Sequence, residues 1–301
     1  MSLLVTGTIG IDTVKTPFGV SEDCLGGSAI YFSMSASYFS GVRFVGVIGD
    51  DCSFDLAEIF KGRGVDLTGL EVRSGSKTFR WHGTYQDSMN EAITNRTDLN
   101  VIAEAPPKVP DVFQDSRFVF LANTAPGLQM ELLGQVRDPD FVAADTMNLW
   151  IDTANDDLKK LLTKIDMLVL NDGEARMLTG EKNIVIASQQ ILKMGPRFVV
   201  IKKGEYGSML CEKDGHTFIS PAFPTDKVID PTGAGDSFAG AMMGYMAKIG
   251  NSEFTTIRNA VVYGTVASSF TIGDFSINGI KNTNSDLIEE RFVAMRDITQ
   301  F

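Results

Sequence analysis

Three cysteines in 301 residues, Cys24, Cys52 and Cys211, are too few and too irregularly spaced for a disulfide framework or a cysteine-based metal site. They suit a reducing compartment. Histidine is scarcer still: His82 and His216 stand far apart, which leaves a histidine metal centre or a Ser-His-Asp relay without its parts. Positive charge is also in deficit. With a formal net charge of −11 and no basic run longer than Lys202-Lys203, the chain is not expected to bind nucleic acid. No apolar run reaches the ~18 residues of a membrane span, and Met1 to Gly7 lacks the basic start and long apolar stretch of a signal peptide. The expectation is a cytoplasmic protein without a membrane partner. Neither a repeat nor a low-complexity linker divides the chain, so residues 1–301 are expected to form one domain. Two nucleotide-binding signatures are missing as well. There is no GxxxxGK[ST], which excludes a P-loop kinase, and residues 7–12 do not supply the GxGxxG of a dinucleotide-binding dehydrogenase.

What is present is an alternation. Short runs rich in Val, Ile, Leu and Phe at 3–6, 43–48, 117–122, 140–144, 166–170 and 197–202 read as buried strands. Helical patterns at 28–40, 53–63, 128–137, 154–163 and 184–193 fall between them, which predicts a three-layer α/β core around a mostly parallel sheet. After residue 220 the pattern turns helical, at 234–249, 254–270 and 285–297. Residues 69–104 break the rhythm: Thr78, Arg80, His82 and Thr84 alternate with Phe79, Trp81, Gly83 and Tyr85 at period two. With residues 12–25 they are expected to form a small antiparallel sheet, either a lid over a ligand cleft or an ordinary edge hairpin.

The densest chemical signal is Val228-Ile229-Asp230-Pro231-Thr232-Gly233-Ala234-Gly235-Asp236-Ser237-Phe238-Ala239-Gly240, a Gly-rich turn running into a helix start. Backbone N–H groups of Gly233, Ala234 and Gly235 can converge on an anion there, and the helix dipole adds partial positive charge. Asp236 would repel a resting phosphate. Beside a reacting phosphoryl group, however, a carboxylate can take the proton of an attacking hydroxyl. The plainer alternative is an acid that favours the helix dipole.

The segment from Asp230 to Phe238 resembles the C-terminal signature of the PfkB and ribokinase family of carbohydrate and nucleoside kinases, with Pro231 where Thr is usual. Other family landmarks follow in order from Gly7 to about Thr271. The resemblance implies a ribokinase-like fold and an ATP- and Mg²⁺-dependent phosphotransferase, with Asp236 as base and Gly233, Ala234 and Gly235 as the anion hole. It places Asp12, Gly26, Gly27, Tyr31, Arg80 and Asn123 on the acceptor side. Asn171, Lys202, Gly204 and Gly207 fall to the nucleotide, with the adenine between Gly204–Gly207 and a helix around Gly264 and Ala267. Glu174, in Asn171-Asp172-Gly173-Glu174, matches the family's Asn-x-x-Glu motif and is assigned to Mg²⁺ through water; a helix capping box is the alternative there. Lys202 stands where Thr is common and is long enough to reach phosphate oxygens.

The acceptor is less sharply marked. Tyr31 replaces the Asn with which sugar kinases of the family contact hydroxyls, and Phe32, Phe79, Trp81 and Tyr85 add aromatic surface, which leans towards a nucleoside. A free sugar is the next expectation. A sugar phosphate ranks third, because Asp145-Thr146-Met147-Asn148 replaces the family's Asp-Pro-Asn motif without the arginine that often follows, and only Lys77, Arg80 and Arg96 are lid cations. A silent nucleotide or metabolite sensor is the non-enzymatic alternative, and a homodimer through the lid is a further expectation.

Overall fold

The apolar runs form strands because both of their faces are covered. In the computed structural model, which describes residues 1–86 and 89–300, successive strand residues enter two separate cores. Leu3, Val5, Phe118, Phe120, Phe141 and Ala143 face one of them, and Leu4, Val119, Leu121, Val142 and Ala144 face the other.

In chain order the elements begin with β1 (Leu3–Thr6), β2 (Gly10–Thr16), β3 (Gly19–Gly26), α1 (Ser28–Ala36), β4 (Val42–Gly49), α2 (Leu56–Ile59), β5 (Val65–Arg73), β6 (Phe79–Tyr85) and β7 (Ala92–Asp98). The middle of the chain alternates as β8 (Phe118–Leu121), α3 (Pro126–Leu133), β9 (Phe141–Asp145), α4 (Asn148–Thr153), α5 (Asn155–Leu162), β10 (Met167–Asn171), α6 (Asp172–Thr179), α7 (Ile184–Met194) and β11 (Phe198–Lys202). It ends with β12 (Ser208–Glu212), β13 (Thr217–Ser220), α8 (Ala234–Ile249), α9 (Phe254–Thr271), α10 (Asn278–Lys281) and α11 (Ser285–Thr299). This is the three-layer α/β fold that the alternation predicts. The large sheet runs β13-β12-β11-β10-β9-β8-β1-β4-β5, parallel except at β12 and β13. One core packs the sheet against α1, α8 and α9, and the other against α3, α5, α6 and α7.

The second sheet runs β3-β2-β6-β7. It consists of two antiparallel hairpins, β2–β3 and β6–β7, which meet through a parallel pairing of β2 with β6. The segment expected to contribute from residue 69 begins later, since residues 69–73 pair with β4 as the edge of the large sheet. Their half-exposed positions explain why no apolar run marked them. Two residues of that segment, 87 and 88, lie outside the described residues. β2 leaves the carboxyl end of β1 and β3 returns directly into α1, so the small sheet stands over the edge where the parallel strands end. In open α/β sheets that edge is where ligands bind.

Helices α1, α8 and α9 approach one another closely at glycines. A Cβ at Gly264 would lie 2.8 Å from the carbonyl oxygen of Phe238, and one at Gly240 would meet the carbonyl oxygen of Phe32 well inside contact distance. Since α8 carries the Gly-rich turn at its start, this packing fixes the turn against the sheet. Gly240→Ala is therefore expected to lose about 1–3 kcal/mol by overpacking, against which better helix propensity returns only about 1 kcal/mol. Denaturant unfolding measures it, and a variant as stable as the parent would show that α1 and α8 are free to move apart.

Candidate active site

Three neighbouring strands end side by side and bring their last polar residues together. Asp145 closes β9, Asn171 closes β10 and Lys202 closes β11, with Asp145 in register with Val169 and Asn171 with Lys202. The start of α8 faces them. A Cβ at Gly235 would lie 2.6 Å from the Lys202 Nζ, so the ammonium rests directly on the glycine turn. The same Nζ is 3.7 Å from Asp145 Oδ2.

The turn is open to an anion at some amides and closed at another. Gly233 adopts a left-handed conformation (φ 74°), with the Tyr31 ring packed where a Cβ would stand. The N–H of Ala234, expected to contribute, instead donates to the Pro231 carbonyl (3.1 Å), because the turn closes on itself there. No acceptor among the described residues takes the N–H of Gly233 or Gly235. These two amides, at the start of a sixteen-residue helix, remain available. Asp230 shapes the turn by accepting from the N–H of Thr232 (2.9 Å) and of Ser276 (3.4 Å).

Asp236 is half-buried beside this turn. Burial and the Asp145 carboxylate raise its pKa to about 7, and Lys202 opposes the rise. Glu174 is likewise pushed up to about 7 by burial and Asp145. Its Oε2 accepts from the Asn171 N–H and Asn171 Oδ1 accepts from the Glu174 N–H, each at 2.7 Å, so the capping box is formed. One Glu174 oxygen is left over. Among the described residues no group of three or more His, Cys, Asp and Glu is placed to hold a metal ion. A single spare carboxylate oxygen suits Mg²⁺ held chiefly by phosphate oxygens and water.

On the lid side, Asp12 is buried with Oδ1 unpartnered. Gly26 leaves the space that its carboxyl fills, and Gly27, at φ 98°, turns the chain into α1 where a Cβ would sit 2.5 Å from the Thr8 carbonyl oxygen. In the β2–β6 register Asp12 pairs with Trp81 and Gly10 with Phe79, so Asp12, Phe79, Trp81, Gly83 and Tyr85 share one face. Trp81 lies over Gly83 and donates to Thr94 Oγ1 (3.1 Å), while Tyr85 OH meets Thr232 Oγ1 (3.4 Å). This face of the lid therefore looks onto the turn. Phe32 does not, since it stacks on Phe120 in the core with centroids 4.6 Å apart.

Several expected site residues are employed elsewhere. Arg80, on the opposite face of β6, binds Asp23 (2.8 Å) and Asp51 (3.6 Å), which removes it from the acceptor side. Asn123 donates to Met147 Sδ (3.0 Å) and accepts from Trp150 Nε1 (2.9 Å). Gly264 and Ala267 are buried between helices and offer a ligand no surface, so the adenine wall assigned to them is not there. The residue of α9 that meets the turn is Ser268, whose hydroxyl donates to the Ala234 carbonyl (2.8 Å). Gly207 (φ 80°) is dictated by the Ser220 and Pro221 backbone, whereas Gly204 (φ 54°) lies under the lid residue Asn90.

Residues 23–282 match the family described as pfkB family carbohydrate kinase. A cytidine kinase of Thermococcus kodakarensis is 26% identical over 248 residues, covering 81% of this chain and 87% of that protein. Among solved structures, a nucleoside kinase of Burkholderia thailandensis in complex with inosine superposes with a TM-score of 0.76 at 20% identity, over 98% of this chain and 97% of that one. A ribokinase of Thermotoga maritima does so with the same TM-score at 22% identity, over 98% and 99%.

The state of Asp12 can be tested without any ligand. Burial, aided by the Asp230 and Asp236 charges, raises its pKa from the ordinary 3.8 to about 8. A carboxyl with a raised folded-state pKa contributes stability that is complete below pH 3.8 and is lost as the pH rises towards 8. Asp12→Asn avoids that loss. Its melting temperature is expected to exceed the parent's by a margin that widens from pH 5 to pH 8, with a ceiling of about 1.4 kcal/mol per pH unit. A margin independent of pH would mean that Asp12 titrates normally.

Proposed function

The chain belongs to the pfkB family of carbohydrate kinases, and from that premise we propose that it transfers the γ-phosphoryl group of Mg-ATP to a hydroxymethyl group of a nucleoside. The observation that carries this reading is the placement of a half-buried carboxylate, Asp236, beside unbonded amides of a helix-start turn and beneath a lid face that holds a second, unpartnered carboxyl, Asp12.

In this reading Asp12 accepts hydrogen bonds from acceptor hydroxyls, so that its vacant Oδ1 finds the donors it lacks in the free protein. The hydroxymethyl oxygen is thereby held between Asp236 and the γ-phosphorus. As the oxygen–phosphorus bond forms, its proton passes to the Asp236 carboxylate; the bond from the γ-phosphorus to the bridging oxygen breaks, and ADP leaves with that electron pair. The N–H groups of Gly233 and Gly235 and the Lys202 ammonium meet the charge that develops on the phosphoryl oxygens. Glu174 and Asn171 stand on the nucleotide side, where Mg²⁺ would neutralise phosphate charge. The lid excludes water that would otherwise compete as acceptor.

The nucleoside preference rests on Phe79, Trp81 and Tyr85 lying on the same lid face as Asp12, an apolar, aromatic surface that suits a planar base. The relatives that act on or bind nucleosides point the same way. The commitment of Arg80 to Asp23 and Asp51 takes one of the three lid cations away from a phosphorylated acceptor. A free sugar is the second reading, favoured by the ribokinase likeness.

Two measurements test the proposal together. Mg-ATP with separate pools of nucleosides, hexoses and sugar phosphates should give turnover in the nucleoside pool. With the best acceptor, Asp236→Asn should lower turnover roughly 10²–10⁴-fold while nucleotide affinity changes little. A variant within about threefold of the parent would remove Asp236 from the reaction.

A further inference from the structure

The mechanism uses Lys202 and leaves Asp145 unexplained, although Asp145 is buried at the end of β9 and among the described residues is the carboxylate within 4 Å of the ammonium. Burying a carboxylate is costly unless it is bonded. Asp145 is bonded rigidly: its Oδ1 accepts from the Thr146 N–H (2.7 Å), and its backbone carbonyl accepts from Gln129 Nε2 (3.0 Å), which also binds the Leu121 and Ala122 carbonyls at the end of β8. Only Oδ2 is directed to Lys202. At 3.7 Å that contact is longer than a hydrogen bond of 2.7–3.2 Å, so the ammonium is held near Asp145 without being captured. Two other carboxylates, Glu174 and Asp236, act on the same ammonium. Pairing with Asp236 would occupy the very oxygen that has to receive the acceptor's proton.

We propose that Asp145 is a positioning residue for phosphoryl transfer, holding the Lys202 ammonium over Gly235 and away from Asp236 until a γ-phosphate takes its place as partner. This rests on the kinase reading above. The geometry makes the exchange short, because Nζ already lies against the backbone on which the phosphoryl group would settle. It also accounts for the glycine at 235, since a side chain there would displace the ammonium.

The experiment is a double-mutant cycle of Asp145→Asn and Lys202→Met. Two quantities are read: the ratio of affinities for a Mg²⁺-bound non-hydrolysable ATP analogue and Mg-ADP, which isolates the γ-phosphate, and kcat and KM with the best acceptor. Asp145→Asn should lower the affinity ratio about tenfold and kcat by up to roughly 10²-fold, with the acceptor KM unchanged. In the Lys202→Met background the same change should alter neither quantity by more than about twofold. Lys202→Arg, which keeps a cation, should retain most of the affinity ratio. Asp145→Glu, which moves the charge by one methylene, should lose an intermediate amount and serves as the second probe if the Asn variant folds poorly. An equal loss from Asp145→Asn with and without Lys202 would show that Asp145 acts on its own, for example on Mg²⁺, and would overturn the proposal; so would no loss at all. If no acceptor pool gives turnover, the acceptor reading fails, while the affinity ratio still decides the role of Asp145.

Discussion

One ammonium, that of Lys202, shares its surroundings with three carboxylates, those of Asp145, Glu174 and Asp236, and this imbalance governs the chemistry of the cleft. Asp145 is buried and the other two are half-buried, and burial is the largest cause of every upward pKa shift among them. A site of this charge would repel a bare polyphosphate. In the proposed reaction it becomes receptive when the phosphate arrives with a divalent cation, which would match its excess negative charge. With its pKa raised to about 7, Asp236 is able to exchange a proton at pH 7, as its proposed role of general base requires.

The same economy operates on the acceptor side. Asp12 occupies a hollow that Gly26 leaves empty, and its Oδ1 has no partner among the described residues. Such a group destabilises the free protein, and hydroxyl donors of an incoming ligand relieve it. One hairpin of the lid, β2–β3, springs from the end of β1 and runs directly into α1, so Asp12 and the Tyr31 ring on Gly233 lie in one continuous segment of chain.

Much of this was legible in the sequence, for physical reasons that also explain the rest. Strands covered on both faces, such as β8 and β11, must be apolar throughout and announce themselves; α8 and α9 were delimited within a residue or so by their glycine-bounded or polar ends. Edge strands β5 and β13 carry exposed or mixed positions and left no run to read, while β12, buried throughout, was missed because Ser208 and Glu212 bound a run of only three apolar residues. Asp12, Asp236 and Lys202 stand out in the sequence because each is tied to a turn or strand end with a recognisable pattern. Asp145 was noticed only as part of an altered motif, since its meaning depends on Lys202, 57 residues away and two strands across. Gly264 and Ala267 misled because a small residue admits either a ligand or a neighbouring helix, and here it admits α8. Arg80 misled similarly, because strand alternation alone does not reveal that Asp23 and Asp51 wait on its face.

The account stands on the glycine turn as the place where phosphoryl charge is held. A crystal structure with Mg-ADP and aluminium fluoride, a mimic of the group in flight, examines that claim without reliance on the identity of the acceptor. The fluoride anion should lie against the N–H groups of Gly233 and Gly235, with Lys202 Nζ moved from Asp145 onto it and Asp236 facing its open side. An anion bound elsewhere, with those amides bonded within the chain and Lys202 still at Asp145, would contradict the account.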